Sequence, residues 1–196
     1  MPRCYDHVAS AGALLALGAL AGCSRPAAVT PPPAPTQYTY EVVNTYPHDT
    51  NAFTEGLIFL NGKLYESTGL NGHSSLREED LTTGKVLREV DVPAQYFGEG
   101  IAIVGSKVYQ LTWQKQTGFI YDLDTFKLEK NFTYTGEGWG LTTNGHSLIM
   151  SDGTDQIRFR DPATFAVQRS ISVKNQGKPV QQINELEYIK GEIYAN

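Results

Sequence analysis

The chain has 196 residues, with 16 Lys and Arg against 21 Asp and Glu, and therefore a formal net charge of −5. This acidic balance gives no support to nucleic-acid binding, which calls for a basic surface. The length suits about one domain. The 19 glycines and 11 tyrosines, together with few long helical runs, favour an all-β fold.

The N-terminal segment has the pattern of an export signal. Arg3 precedes an apolar run of small residues from Val8 to Cys23, which is shorter than the ~20 residues that a spanning helix needs. The run ends in "LAGC", residues 20–23, which resembles a bacterial lipobox. We therefore predict a lipoprotein signal peptide over residues 1–22 and lipidation of Cys23. The alternative is an ordinary secretory signal in which Cys23 is not modified.

The segment that follows is predicted to be a spacer. Residues 23–36 are rich in Pro and Ala, and such a composition gives an extended, semi-rigid linker. The other cysteine, Cys4, falls within the signal peptide, so the mature chain would have no disulfide. We expect a protein anchored by lipid to a membrane on the periplasmic side of the bacterial cell envelope, or a secreted protein if Cys23 is not modified.

The rest of the chain contains an internal repeat of alternating apolar runs separated by Gly or Asn turns. The same place in each copy is occupied by Glu55, Glu99, Trp139 or Glu185, at spacings of 44, 40 and 46 residues. The four stretches are "FTEGLIFLNGKLYESTG" from Phe53, "FGEGIAIVGSKVYQLTW" from Phe97, "EGWGLTTNGHSLIMSDG" from Glu137 and "INELEYIKGEIYAN" from Ile183.

A second element repeats between these stretches. "DLTTG" from Asp80, "DLDTF" from Asp122 and "DPATF" from Asp161 carry Asp and Thr at offsets that can close a turn. Each unit then has four short antiparallel strands in about 42 residues, which is typical of a propeller blade. A β-sandwich with accidental periodicity is the alternative.

We therefore predict a β-propeller domain over residues 37–196, with about three and a half blades. Closed propellers have roughly four to eight blades, so we expect a longer protein in which the ring is complete. A segment such as "YTYEVVNTY", residues 38–46, commonly supplies a strand to the last blade of such a ring, but residues 37–196 are not expected to include that last blade.

The repeated position is expected to line the central opening. Glu55, Glu99, Trp139 and Glu185 would point to a common centre, with Phe53, Phe97, Trp113, Asn184 and His48 nearby. An acidic pocket with aromatic walls suits a small cationic or amide-bearing group. Burial and like charge would raise carboxyl pKa values, which makes Glu99 a candidate general acid and base. The alternative is that "GEG" is only a turn at the start of a strand.

No other motif indicates a function. The sequence has no P-loop, no dinucleotide fingerprint and no nucleophile elbow. The four histidines show no metal-ligand spacing, so no metal or cofactor is expected.

The ordered set "PHDTNAFTEGL", "LYESTGLNGHSSLR", "YFGEG", "TGFIYD", "GWGL", "SDGT" and "NELEYIKGEIYAN" resembles the plant-type glutaminyl-peptide cyclotransferases, also called glutaminyl cyclases. The resemblance runs from about residue 40 to residue 196. It implies a five-bladed propeller that converts an N-terminal glutamine into pyroglutamate and releases ammonia, without a catalytic zinc.

The resemblance also implies roles for single residues. Glu99 matches the catalytic carboxylate, and the substrate-binding residues would be Phe53, Glu55, Phe97, Trp113, Trp139 and Asn184. Glu55 stands where the plant members carry glutamine, and a further tryptophan and lysine of the family site would lie beyond residue 196. Peptides or proteins with N-terminal Gln are the expected partners, and the protein is expected to be a monomer. A non-catalytic propeller lipoprotein that binds peptide N-termini, or an inactive cyclase, is the alternative.

Overall fold

The computed structural model describes residues 36–196, and these residues contain sixteen β-strands and no helix. The prediction of an all-β fold is confirmed. The predicted signal peptide, Cys23 and nearly all of the predicted linker lie outside the described residues. The strands are β1 (Thr54–Leu60), β2 (Lys63–Thr68), β3 (Ser75–Asp80), β4 (Val86–Asp91), β5 (Gly98–Val104), β6 (Lys107–Thr112), β7 (Thr117–Asp122), β8 (Leu128–Thr133), β9 (Leu141–Thr143), β10 (Leu148–Met150), β11 (Gln156–Arg160), β12 (Val167–Ser172), β13 (Lys174–Asn175), β14 (Lys178–Pro179), β15 (Leu186–Ile189) and β16 (Glu192–Ala195).

The strands form three four-stranded antiparallel sheets and two hairpins. Strands β1–β4, β5–β8 and β9–β12 each pair in sequence order, while β13 pairs with β14 and β15 pairs with β16. Each sheet is a blade, and the β15–β16 hairpin follows the third blade, as the repeat predicts. This meander arrangement uses only short local connections, because antiparallel neighbours need only a tight turn between them.

The repeated Asp-Thr element closes the outer turn of each blade. The Oδ1 atoms of Asp80, Asp122 and Asp161 accept the backbone N–H three residues later at 2.9, 2.9 and 2.8 Å. Two of the three turns also place a phenylalanine at positive φ, Phe126 at 56° and Phe165 at 60°. Both rings are buried between blades, and this packing compensates for the unfavourable backbone conformation.

Apolar side chains fill the spaces between successive blades. Leu76, Ile101, Val108 and Phe119 are at most 2% exposed and pack between the first and second blades. A second cluster packs between the second and third blades, and a third packs between the third blade and the β15–β16 hairpin. Each fully buried side chain of this kind stabilises the fold by about 1.5–3 kcal/mol. The core therefore runs through all the blades and holds their inner strands side by side.

Glycines allow the inner strands to approach one another closely. A Cβ on Gly100 would lie 2.4 Å from the backbone N of Leu141, and a Cβ on Gly140 would lie 2.2 Å from the backbone O of Asn184. Gly100 also donates its N–H to the carbonyl of Trp139 at 2.9 Å. The residues that precede these glycines, Glu99 and Trp139, are therefore held at equivalent places on neighbouring blades.

The segment over residues 38–46 forms no strand, and residues 36–196 contain no last blade that would receive one. It pairs with no strand of residues 36–196, and Tyr38 and Tyr40 are more than 80% exposed. A strand without a partner leaves its backbone groups to water and is not stable by itself.

Candidate active site

Glu99 lies at the start of β5, where its side chain is buried. Glu99 is 6% exposed. The neighbouring backbone is fixed, because Gly98 donates its N–H to Ser74 Oγ at 3.0 Å. Burial raises the pKa of Glu99 to about 9, with further contributions from the negative charges of Glu55 and Glu137. A carboxyl group in this state carries a proton at neutral pH.

Three aromatic rings form a row beside this carboxyl group. The ring centroids of Phe53 and Phe97 are 6.0 Å apart, and those of Phe97 and Trp113 are 5.8 Å apart, both in edge-to-face arrangements. Gly69 lies under the ring of Phe97, where a Cβ would approach a ring carbon to 2.4 Å. Phe53 and Trp113 remain 49% and 37% exposed, so the row presents aromatic surface to a ligand from solvent.

Glu137 joins the two tryptophans of the protein. Its Oε2 accepts the indole N–H of Trp113 at 2.7 Å and the indole N–H of Trp139 at 2.8 Å. These hydrogen bonds, that from Trp139 above all, lower the pKa of Glu137. Glu137 is therefore a charged brace between neighbouring blades. Its place at the start of the third repeat was the one signal in the sequence, but its contact with a tryptophan 24 residues away depends on the fold.

Glu55 and Glu185 occupy the equivalent positions on the first blade and on the β15–β16 hairpin. Burial raises the pKa of half-buried Glu55. Burial also raises the pKa of Glu185 well above its ordinary value, with added repulsion from Glu187 and Glu99. Oε2 of Glu185 is shielded from solvent and accepts no hydrogen bond from the described part of the chain. The site thus contains three carboxyl groups whose pKa values are raised above the ordinary value.

Asn184 is held at the same site through its backbone. The hydroxyl of Ser151 donates to the carbonyl of Asn184 at 2.6 Å and accepts the N–H of Gly140 at 2.7 Å. Ser151 is fully buried. Its two hydrogen bonds connect the inner strand of the third blade to the residue that precedes Glu185. The sequence did not single out Ser151.

The structure places most of the predicted site residues together and separates one of them. Phe53, Phe97 and Trp113 form the aromatic row, while Trp139 joins it through Glu137. The expectation that His48 lies in this pocket is wrong. Its Nε2 lies 3.1 Å from Oε1 of Glu66, on the first blade, because the chain before β1 folds along that sheet. A groove of about 720 Å³ between the third blade and the β15–β16 hairpin contains none of the predicted site residues.

This arrangement can hold a small group that carries both an amine and an amide. The aromatic rings offer flat apolar walls, and the carboxyl groups can accept or donate protons within a partly dry site. The fold and the site together define a β-propeller protein with an acidic, aromatic pocket formed at its inner strands.

A family profile described as "Glutamine cyclotransferase" matches residues 13–196. The chain belongs to this family. It is 45% identical over 158 residues to a glutaminyl-peptide cyclotransferase of Arabidopsis thaliana, and the match covers 80% of this chain and 49% of that protein. The chain therefore spans about half the length of this curated relative. The family indicated by the sequence resemblance is confirmed.

Solved structures give the same result. The crystal structure of Myxococcus xanthus glutaminyl cyclase matches with a TM-score of 0.74 and 38% identity, over 80% of this chain and 66% of that one. The WD40 repeats of RRP9 match with a TM-score of 0.53 and 11% identity, over 71% of this chain and 43% of that one. The second likeness concerns the fold alone and confirms the propeller architecture. Within residues 36–196 there is no helix that could span a membrane.

Proposed function

We propose that this protein is a glutaminyl-peptide cyclotransferase, which converts an N-terminal glutamine of peptides or proteins into pyroglutamate and releases ammonia. The observation that carries the proposal is Glu99, a buried carboxyl group with a raised pKa beside a row of aromatic rings. The names of the Arabidopsis and Myxococcus relatives support the same reaction.

The reaction requires one proton transfer between two nitrogen atoms. The α-amine nitrogen forms a bond to the side-chain amide carbon, the bond from that carbon to its NH₂ group breaks, and ammonia leaves. The amine loses one proton and the departing nitrogen gains one, so the net proton count is unchanged. Glu99 is the proposed shuttle, because a single carboxyl group can donate to the leaving nitrogen and accept from the attacking one.

The raised pKa of Glu99 is compatible with this role. The free α-amine has a pKa near 7.7–8.0. The complex can exist in two forms with the same number of protons. In one form Glu99 is protonated and the amine is neutral, and in the other Glu99 is ionised and the amine is an ammonium. Because the pKa of Glu99 is about 9, the two forms lie close in free energy, and the amine can become neutral without loss of a proton to bulk water.

Substrate positioning is assigned to the residues around Glu99. The aromatic rings of Phe53, Phe97, Trp113 and Trp139 would fold the glutamine side chain back toward its own amine, which lowers the entropic barrier to ring closure. Asn184 would hydrogen-bond the amide oxygen as negative charge develops there. Glu55 would contact the substrate ammonium. Glu137 would position the two tryptophans.

The location and partners of the protein are also proposed. The lipobox-like "LAGC" supports lipidation of Cys23 and attachment to a membrane in the bacterial cell envelope, on the periplasmic side. Exported peptides and proteins with N-terminal Gln would then be the substrates, and the protein would act as a monomer.

The test is ammonia release from a peptide that begins with Gln, measured beside the same peptide beginning with Asn. The protein should release one ammonia per pyroglutamate formed, and Glu99→Gln should lower kcat at least ~100-fold. Glu129 is an exposed carboxylate on β8, and the control variant Glu129→Gln should keep the full rate. A full rate in Glu99→Gln would refute the assignment of the shuttle. Peptide binding without any ammonia release would favour the non-catalytic alternative.

A further inference from the structure

Two buried glutamates and a histidine meet on the first blade, outside the candidate active site. Glu66 lies on β2 and Glu79 on β3, and both are completely buried. Glu66 pairs across the sheet with Arg77, two residues before Glu79, so Glu66 and Glu79 share one face of the blade. His48 comes from the segment before β1 and covers this face, with its side chain 37% exposed.

Three of the four oxygens of these two carboxyl groups lack a hydrogen-bond partner, the exception being Oε1 of Glu66. Oε2 of Glu66 and both oxygens of Glu79 accept no hydrogen bond from any residue in the described range 36–196. Burying a carboxylate without a partner costs several kcal/mol, so such a pair is expected to hold a cation or a proton.

The nearest cationic side chain does not satisfy them. Nη1 of Arg77 is 4.0 Å from Oε2 of Glu66, beyond hydrogen-bond distance. It donates instead to Asp49 at 3.0 Å, and Nε donates to Glu89 at 2.8 Å. The charge of Arg77 is therefore matched by two other carboxylates, and Glu66 and Glu79 remain an excess of negative charge.

The donor atoms are spaced as a small metal ion requires. Nε2 of His48 is 3.1 Å from Oε1 of Glu66 and 4.0 Å from Oε2 of Glu79, and all three donors lie within 4.8 Å of one another. A tetrahedral ion with bonds of ~2.0–2.2 Å would hold its ligands about 3.4 Å apart. The hydroxyl of Thr54 donates to Oε1 of Glu66 at 2.5 Å and orients that carboxylate, as outer-shell groups do at metal sites.

We propose that His48, Glu66 and Glu79 bind one divalent transition-metal ion of the Zn²⁺ type. One imidazole and two carboxylates form a ligand set that such ions accept. A water molecule would complete the coordination as the fourth ligand. The ion would fasten the segment before β1 to the first blade. The site is structural and takes no part in the proposed reaction.

The experiment measures binding of Zn²⁺ alone by isothermal titration calorimetry, in protein freed of metal with a chelator. Cys4 and Cys23 are replaced by Ser in every sample, because thiolates bind zinc. We expect one equivalent to bind, and both Glu79→Gln and His48→Gln to lose it. Glu129→Gln should keep it. At 100-fold excess over Kd, Zn²⁺ should raise Tm by about 5–10 °C in the parent and not in Glu79→Gln.

Glu79→Gln keeps the size of the side chain, so it should fold even if His48→Gln does not. Replacement of Zn²⁺ by Co²⁺ adds a spectroscopic readout, since a tetrahedral site gives a strong visible absorption. Absence of a saturable single equivalent in the parent would overturn the proposal and leave a shared proton as the occupant of the pair. Unchanged binding in both variants would overturn it equally.

Discussion

Replacement of Glu99 by Gln should change how the stability of the protein depends on pH. The pKa of Glu99 is about 9 in the folded protein against an ordinary value of 4.5, chiefly because the group is buried. Between these values the unfolded chain releases the proton while the folded chain retains it. The free energy of unfolding therefore falls as pH rises through this window, by about 1.4 kcal/mol per pH unit.

Gln has nearly the same shape and does not titrate, so Glu99→Gln should remove this slope. The free energy of unfolding of the variant minus that of the parent should therefore increase by about 3 kcal/mol between pH 5.5 and pH 8. Other carboxyl groups titrate in both proteins, and the difference between the two profiles isolates Glu99.

Urea denaturation followed by circular dichroism at several pH values measures this difference. Glu129→Gln, which removes an exposed carboxylate, is the matched control and should give a profile parallel to the parent over this range. Parallel profiles for Glu99→Gln and the parent would refute the reasoning, because they would mean that Glu99 titrates in the folded protein as it does in the unfolded chain.

Three further predictions concern the site and its support. Glu137→Gln weakens both indole hydrogen bonds, so the tryptophan fluorescence, excited where tyrosine does not absorb, should shift. KM for a Gln-initiated peptide should also rise about tenfold, and an unchanged spectrum and KM would exclude the brace. Ser151→Ala leaves the buried N–H of Gly140 without its partner and should cost about 1–3 kcal/mol in urea denaturation, whereas a loss below 0.5 kcal/mol would contradict that role. Gly100→Ala forces a Cβ against the backbone of the next blade and should cost about 2–3 kcal/mol or more. Gly105→Ala meets no neighbouring atom and carries only the strain of a positive φ of 60°, about 1 kcal/mol, so it should cost less, and equal losses would contradict the close approach.

The blades and the repeated position could be predicted from the sequence because their causes are local. Alternation of apolar and polar residues sets which face of a strand is buried, and Asp with Thr at fixed offsets closes a turn within five residues. Equivalent residues of successive blades then meet at the inner strands, which is why Glu55, Glu99 and Trp139 could be placed at one site before the structure was known.

Other features depend on contacts between distant segments. Glu137 reaches Trp113 only because two neighbouring blades pack side by side, and Ser151 reaches Asn184 across 33 residues of sequence. His48 was expected at the pocket, yet it lies against Glu66 because the segment before β1 covers the first blade. No local pattern encodes such a meeting.

The sequence by itself determined the all-β repeat and the family, and it made Glu99 the candidate for the reactive carboxyl group. The tertiary structure alone decided which groups surround that carboxyl and how deeply it is buried. The physical reason is that hydrophobic alternation and turn chemistry act between near neighbours in the chain. Desolvation and charge repulsion depend instead on everything that packs around a group, and packing exists only in the folded protein.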